Sequence, residues 1–147
     1  MTLRLVELDS DNLPAVIRIP PAVGEKAYVA PVLHSIAEAY VTPTAWPRVI
    51  LDGDEVVGFV MANWDPDNEL PEFRGGLWRL NVADEAQGRG VGRFAVDQVA
   101  DEARRRGYDR ITVLWEQAED GPEGFYLRMG FRPEGELFGE RVGVLDL

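Results

Sequence analysis

The 147-residue chain has no cysteine. Disulfides, thiolate zinc sites, iron–sulfur clusters and cysteine nucleophiles are excluded with it. One histidine, His34, is present, which removes most imidazole metal sites and leaves a single place for a histidine-dependent triad. Lysine is as scarce: Lys26 stands alone and every other cation is arginine. Acidic residues outnumber basic ones 26 to 15, for a formal net charge of −11. An excess of that size repels phosphate backbones and anionic bilayers and favours cationic partners. Neither nucleic acid nor a membrane is expected as a partner. No apolar run approaches the roughly 18 residues of a membrane span. Residues 1–10 lack the basic-then-apolar pattern of a signal peptide, so a cytoplasmic location is the expectation.

What is present fits one soluble domain over residues 1–147. Apolar residues make up 46% and charged residues 28%, enough to bury a core without staples. Alternation over residues 2–8 predicts a first strand. Asp9, Ser10, Asp11 and Asn12 are candidate N-caps for a short helix that ends at Pro20 and Pro21. A second short helix is expected over residues 35–40. The proline-punctuated stretch 20–47 suits a segment that shapes a substrate site. Residues 48–51 and 55–62 are β-branched runs around Asp52-Gly53-Asp54, a strong hairpin signal. Residues 65–71 read as a loop and 76–82 as a strand.

From residue 91 to 103, apolar positions at 91, 94, 95, 96, 99, 100 and 103 make a helical stripe. Arg104, Arg105 and Arg106 sit in its last turn, and Gly107 suits the left-handed residue that follows a helix. A strand over 111–115, a helix near 122–129 and strands over 131–137 and 142–147 complete the order β-α-α-β-β-β-α-β-α-β-β. The fold class is α/β, a mixed sheet with helices.

The most informative stretch is residues 80–93, LNVADEAQGRGVGR. A strand ends, four residues pass, and Gln87-Gly88-Arg89-Gly90-Val91-Gly92 opens an amphipathic helix. Glycines remove side chains where backbone must come close to a ligand, and the first helical turn offers unpaired N–H groups and partial positive charge. Together they predict a phosphate or pyrophosphate site. Arg89 and Arg93 add fixed cations against the overall acidic balance. A Walker A loop is excluded because no Gly-Lys-Ser/Thr is present, and the G-x-G-x-G spacing does not match a dinucleotide fingerprint.

Gln87-x-x-Gly90-x-Gly92, after a strand ending Leu80-Asn81-Val82, resembles the pyrophosphate turn of the GCN5-related N-acetyltransferase (GNAT) family. Residues 125–131, Phe-Tyr-Leu-Arg-Met-Gly-Phe, are similar to that family's second signature, a tyrosine four residues before Gly-Phe. Element order agrees along nearly the whole chain. The resemblance implies acetyl-CoA as cosubstrate and no metal. Backbone of Leu80, Asn81 and Val82 would pair with the pantetheine arm, and the stretch Gly88, Arg89, Gly90, Val91, Gly92 and Arg93 would take the pyrophosphate. It also implies direct attack by an amine on the thioester in a ternary complex, with Tyr126 as general acid toward the leaving thiolate. A split of the sheet between the Gly76 and Ile111 strands would hold CoA.

Two positions depart from the family pattern. Gly76 stands where some members carry a glutamate base, which leaves Glu72 and Glu38 as candidate carboxylates. Glu119 stands where members often carry an asparagine that contacts the pantetheine arm. The segment 29–40, with Trp46-Pro47 and residues 52–61, resembles the bacterial spermine/spermidine acetyltransferase-like branch. That implies a small primary amine as acceptor, polyamines among the candidates, and carboxylates at Glu38, Asp65, Asp67, Glu69 and Glu72 suit a polycation. Aminoglycoside, amino-acid or protein amines remain alternatives, as does a non-catalytic acyl-CoA sensor. His34 reads as structural, the Arg104–Arg106 run as a solvated helix end, and Trp64 or Trp78 as the tryptophans nearest a substrate role. A homodimer paired through the apolar terminal strand, residues 142–145, is a further expectation.

Overall fold

A computed structural model describes residues 2–20 and 30–147. Residues 21–29, with Pro21, Lys26 and Val29, lie outside the described residues. Strand β1 (Leu3–Val6) and helix α1 (Leu13–Val16) come first, followed by α2 (Val32–Val41), β2 (Ala45–Asp52) and β3 (Glu55–Trp64). Then come β4 (Gly75–Val82), α3 (Val91–Arg105), β5 (Arg110–Trp115), α4 (Glu123–Arg128), β6 (Arg132–Leu137) and β7 (Glu140–Asp146). Short 3₁₀ turns at Pro71–Phe73 and Asp84–Ala86 flank β4. The order is the expected one; α1 is shorter and α2 longer than the capping signals suggested.

The seven strands form one sheet in the order β1-β2-β3-β4-β5-β7-β6. All neighbours are antiparallel except β4 and β5, which run parallel and meet in register only at Gly76 and Thr112. Two features of sequence produce this splay. A Cβ on Gly76 would lie 2.2 Å from the Thr112 carbonyl oxygen, so glycine is what lets the strands touch there. Immediately afterwards the β3–β4 register slips between Met61–Arg79 and Ala62–Leu77. Trp78 is the extra residue of a bulge, which bends a strand and increases its twist. Beyond it, β4 leaves β5.

Helix α3 packs against the sheet on its buried stripe of Val91, Ala95, Val96, Val99, Ala100 and Ala103; the alanines let it sit close. It ends as Gly107 predicts. Gly107 has φ +87°, its N–H donates to the Arg104 carbonyl at 3.0 Å, and the Tyr108 N–H donates to the Ala103 carbonyl at 2.9 Å. This is a Schellman stop. The three arginines before it are ion-paired to the helix's own acids: Arg104 to Asp101, Arg105 and Arg106 to Glu102. They form an exposed, ion-paired helix end, in keeping with the solvated end read from sequence.

The second signature has the same physical origin. At the end of α4 the Gly130 N–H donates to the Leu127 carbonyl at 3.1 Å and the Phe131 N–H to the Tyr126 carbonyl at 3.1 Å, with Gly130 at φ +100°. Tyr126, Gly130 and Phe131 are thus the three defining positions of one Schellman motif. The apolar contact expected between its ends is the Tyr126–Phe131 ring pair at 5.6 Å. That spacing is a helix-stop signature that also fixes a tyrosine.

One expectation is corrected. Strand β7 is not an edge available to a second copy, because it is paired on both sides, by β5 and by β6. Its apolar character reflects an interior place in the sheet. The edge on that side of the sheet, β6, carries Arg132, Pro133, Glu134 and Glu136 and a register break between Pro133 and Glu136, which are features that discourage edge pairing. Among the described residues no helix is long and apolar enough to cross a membrane.

Candidate active site

The divergence of β4 from β5 opens a cleft of about 1560 Å³. That exceeds the roughly 300–1,000 Å³ taken by one drug-sized ligand, so two substrates can be held side by side. Leu80, Asn81 and Val82 line it. They pair with Val60, Phe59 and Gly58 of β3 on one side, while β5 pairs with β4 only at Gly76. Their other backbone edge is therefore open to the cleft, ready for an extended polar arm to add as a strand would.

At one end of the cleft is the glycine turn. Gly88 and Gly90 have φ of +77° and +84°, and a Cβ at either would meet nothing within 4 Å. These glycines serve a left-handed turn and an open cradle rather than tight packing. Gly90 is the N-cap of α3, with no side chain capping the helix, so the first-turn amides of Val91, Gly92 and Arg93 are left for a ligand. Gln87 steadies the turn: its Nε2 donates to the Val82 carbonyl at 3.4 Å. Gly92 lacks a Cβ that would lie 2.9 Å from the Phe125 ring, which seats α4 against the start of α3. The cradle suits a pyrophosphate in shape and in polarity.

The two arginines of this turn are not equivalent. Arg93 is exposed on the cleft wall. The Arg89 guanidinium turns to β2, donating to Asp52 Oδ2 at 3.0 Å and to the Glu85 carbonyl at 3.2 Å. No local pattern separates them, because the Asp52 partner is brought in by the sheet.

Tyr126 is only 7% exposed and lines the cleft. Its ring stacks on Trp115 at 5.4 Å and meets Phe125 and Phe131 edge-on. Trp115 is itself fixed: its Nε1 donates to Glu123 at 3.2 Å, and its ring lies over Gly143, where a Cβ would come within 2.3 Å. Burial drives the Tyr126 pKa well above the ordinary phenol value, so the hydroxyl stays protonated as a donor.

The two candidate carboxylates separate clearly. Glu38, on α2, accepts from Arg79 at 2.9 Å and faces His34 Nε2 at 3.2 Å. Both contacts fall on Oε1, and Glu38 does not line the cleft. Glu72 does line it, and its Oε2 is buried with no hydrogen-bond partner among the described residues. The loop carrying Glu72 is well held. Asn63 Nδ2 donates to the Phe73 carbonyl at 3.0 Å, Arg74 Nε to the Asn68 carbonyl at 2.8 Å, and Thr112 Oγ1 to the Glu72 carbonyl at 2.6 Å.

Several cleft residues were not anticipated from sequence. Arg79 lies beside Trp78, 5.2 Å from its ring centroid; burial lowers its pKa, opposed by Glu38 and Glu140. The Glu140 carboxyl is raised by burial and by Glu116, opposed by Arg79. These contacts join α2, β4 and β7, and no local pattern predicts them. Glu119 precedes α4 and is exposed on the cleft wall. Of the tryptophans, Trp78 and Trp115 line the cleft, while Trp64 is buried between Trp46 and Tyr108.

No curated protein matches the chain. Solved structures do. PaiA N-acetyltransferase from Thermoplasma acidophilum, in complex with coenzyme A, superposes with a TM-score of 0.75 at 12% identity over 100% of both chains. An acetyltransferase from Thermus thermophilus gives 0.75 at 20% identity over 100% of this chain and 98% of that one. A GCN5-related N-acetyltransferase from Kribbella flavida gives 0.72 at 22% identity over 99% and 98%. These likenesses establish the fold. The sequence model of the acetyltransferase (GNAT) family matches residues 18–131, which takes in the glycine turn, the open β4 edge and Tyr126, so the chain belongs to the GNAT family and is an N-acetyltransferase that uses acetyl-CoA.

Proposed function

We propose that the chain acetylates the primary amine of a small molecule, that Glu72 takes up the proton of that amine and that Tyr126 stabilises the leaving thiolate. The carrying observation is the orphaned Glu72 oxygen in the same cleft as a buried, protonated tyrosine. Bound acetyl-CoA supplies an activated acyl group with a thiol leaving group. The residues that would hold it are the backbone edge of Leu80, Asn81 and Val82 and the amides of the Gly88–Arg93 turn, with Arg93 on the pyrophosphate. Arg89 supports the turn through Asp52.

An alkyl ammonium has a pKa near 10 and must lose a proton before it attacks. Glu72 accepts that proton, directly or through one water. Tyr126 donates a hydrogen bond from its hydroxyl to the departing sulfur, stabilising the thiolate that leaves as the amide bond forms. Glu38 acts at one remove, holding Arg79. Glu72, Glu116 and Glu140 on the cleft favour a cationic acceptor, and with the resemblance to the spermine/spermidine branch they support polyamines among the candidates.

The direct test follows free-thiol release from acetyl-CoA across polyamines, aminoglycosides, amino acids and peptide amines. Release with small amines supports the reading, and release with peptide amines alone overturns it. Tyr126→Phe keeps the ring stack and removes the donor. We expect kcat to fall about 10- to 100-fold, at the low end of general-acid effects because a thiol is a fair leaving group, with acetyl-CoA affinity within about twofold. In wild type, the raised phenol pKa means no alkaline loss of kcat from Tyr126 up to about pH 10.

For the cosubstrate site, Arg93→Ala should raise the KM for acetyl-CoA about 5- to 10-fold, an effect that shrinks with added salt. Arg89→Ala should cost less, because that guanidinium already answers Asp52.

A further inference from the structure

The β6–β7 hairpin turns through Phe138 and Gly139, both with positive φ, +53° and +80°. A two-residue turn of this kind calls for Asn-Gly or Gly-Gly, residues that tolerate the left-handed region. Phe138 is the one described non-glycine residue with positive φ, and an aromatic side chain is poorly suited to it. It is also 75% exposed. A residue that breaks both the backbone rule and the burial rule, with no gain to the turn, points to a task outside folding.

The ring's surroundings indicate that task. Phe138 stacks on Phe73 at 6.1 Å with the planes 11° apart. Phe73 adjoins Glu72, and both rings line the same cleft as Tyr126. Glu140, next along β7, lines it too. Two near-parallel phenyl faces therefore line the same cleft as the carboxylate assigned to the acceptor nitrogen.

We propose that Phe138, backed by Phe73, is a specificity-determining residue that takes the apolar carbon body of the acceptor amine while Glu72 takes its nitrogen. This rests on the acetyl-transfer reading above and refines it to amines with a hydrocarbon segment able to cover a ring face. Ring–ring and ring–alkyl contact at such a wall, added to burial of the exposed face, is worth about tenfold in selectivity.

The test compares 2-phenylethylamine with methylamine, using wild type, Phe138→Asn and Phe138→Trp. Asparagine suits the turn, so folding is safeguarded, and acetyl-CoA affinity serves as the check on it. Wild type should favour 2-phenylethylamine by about tenfold or more in kcat/KM beyond the difference in amine basicity. Phe138→Asn should abolish most of that preference through KM, and Phe138→Trp should keep it. An unchanged ratio in Phe138→Asn, with acetyl-CoA binding intact, overturns the proposal and leaves Phe138 a turn residue. Calorimetry on the CoA complex separates the two readings. Phe138-dependent binding of 2-phenylethylamine without turnover overturns acetyl transfer to small amines and supports the wall. Turnover without Phe138 dependence overturns the wall alone. No binding of either amine overturns both.

Discussion

Glu72→Gln is expected to lower kcat/KM by about two to three orders of magnitude while leaving the protein at least as stable. The two effects have one cause. The Glu72 Oε2 is buried with no hydrogen-bond partner among the described residues, an arrangement that costs on the order of 1–3 kcal/mol and persists only because the loop around it is pinned. Asn63 and Thr112 hold the carbonyls of Phe73 and Glu72, which fixes the backbone that carries the side chain. Glutamine keeps the shape, removes the charge and brings an amide in place of an ion, which relieves part of that cost. It cannot take a proton from an ammonium. Loss of activity with a level or raised Tm is the signature of a residue kept for chemistry rather than for folding. Glu38→Gln should show the reverse. It leaves Arg79 half-buried without its 2.9 Å carboxylate partner, and the change should fall on stability and on acceptor KM more than on kcat. If Glu72→Gln retains activity within about threefold of wild type, the base lies elsewhere and the orphaned oxygen needs another explanation.

Much of this site is legible in sequence because its backbone parts are local. Gln87 to Gly92 encode a left-handed turn and a helix start within six residues, and Tyr126, Gly130 and Phe131 encode a helix stop within another six. Each segment carries its own physical reason, so its place in the fold needs no knowledge of the rest. The side-chain parts of the site are assembled across the chain. Arg89 is drawn away from the cleft by Asp52, 37 positions earlier, and Glu38 is taken up by Arg79, 41 positions later. Neither pairing has a local pattern. Phe138 is a different case. It falls in the gap between two expected strands, and only the positive φ and the stack on Phe73 mark it. The apolar run in β7 misleads for a related reason: hydrophobicity signals burial without saying whether the same chain or a second copy provides it.

Gly76→Ala should be the most damaging glycine-to-alanine change among the described residues. The new Cβ would stand 2.2 Å from the Thr112 carbonyl oxygen and 2.7 Å from its Oγ1, and backbone on a central strand cannot step aside as a flexible side chain can. Overpacking of this severity costs about 3 kcal/mol, or a fall in Tm of roughly 10 °C for a domain of this size. Its consequences should exceed the instability. Gly76–Thr112 is the one place where β4 and β5 are in register, and the same Thr112 holds the Glu72 carbonyl. Pushing the strands apart there would release the loop that aims the carboxylate, so surviving folded protein should also lose turnover, even at temperatures where it is fully native. Gly92→Ala provides the contrast, since its Cβ would press at 2.9 Å on the edge of the Phe125 ring, which can tilt; acetyl-CoA binding should suffer more than the fold. The same geometry explains why the resemblance to GNAT members with a strand glutamate fails at this position. A side chain at residue 76 and a closed β4–β5 junction compete for one space, and here the junction occupies it. Gly76→Glu should therefore fail to install a base, and circular dichroism with thiol-release kinetics on the alanine and glutamate variants would show both losing structure and activity together. A glutamate variant that folds and works in a Glu72→Gln background would show instead that the junction can open to accept it.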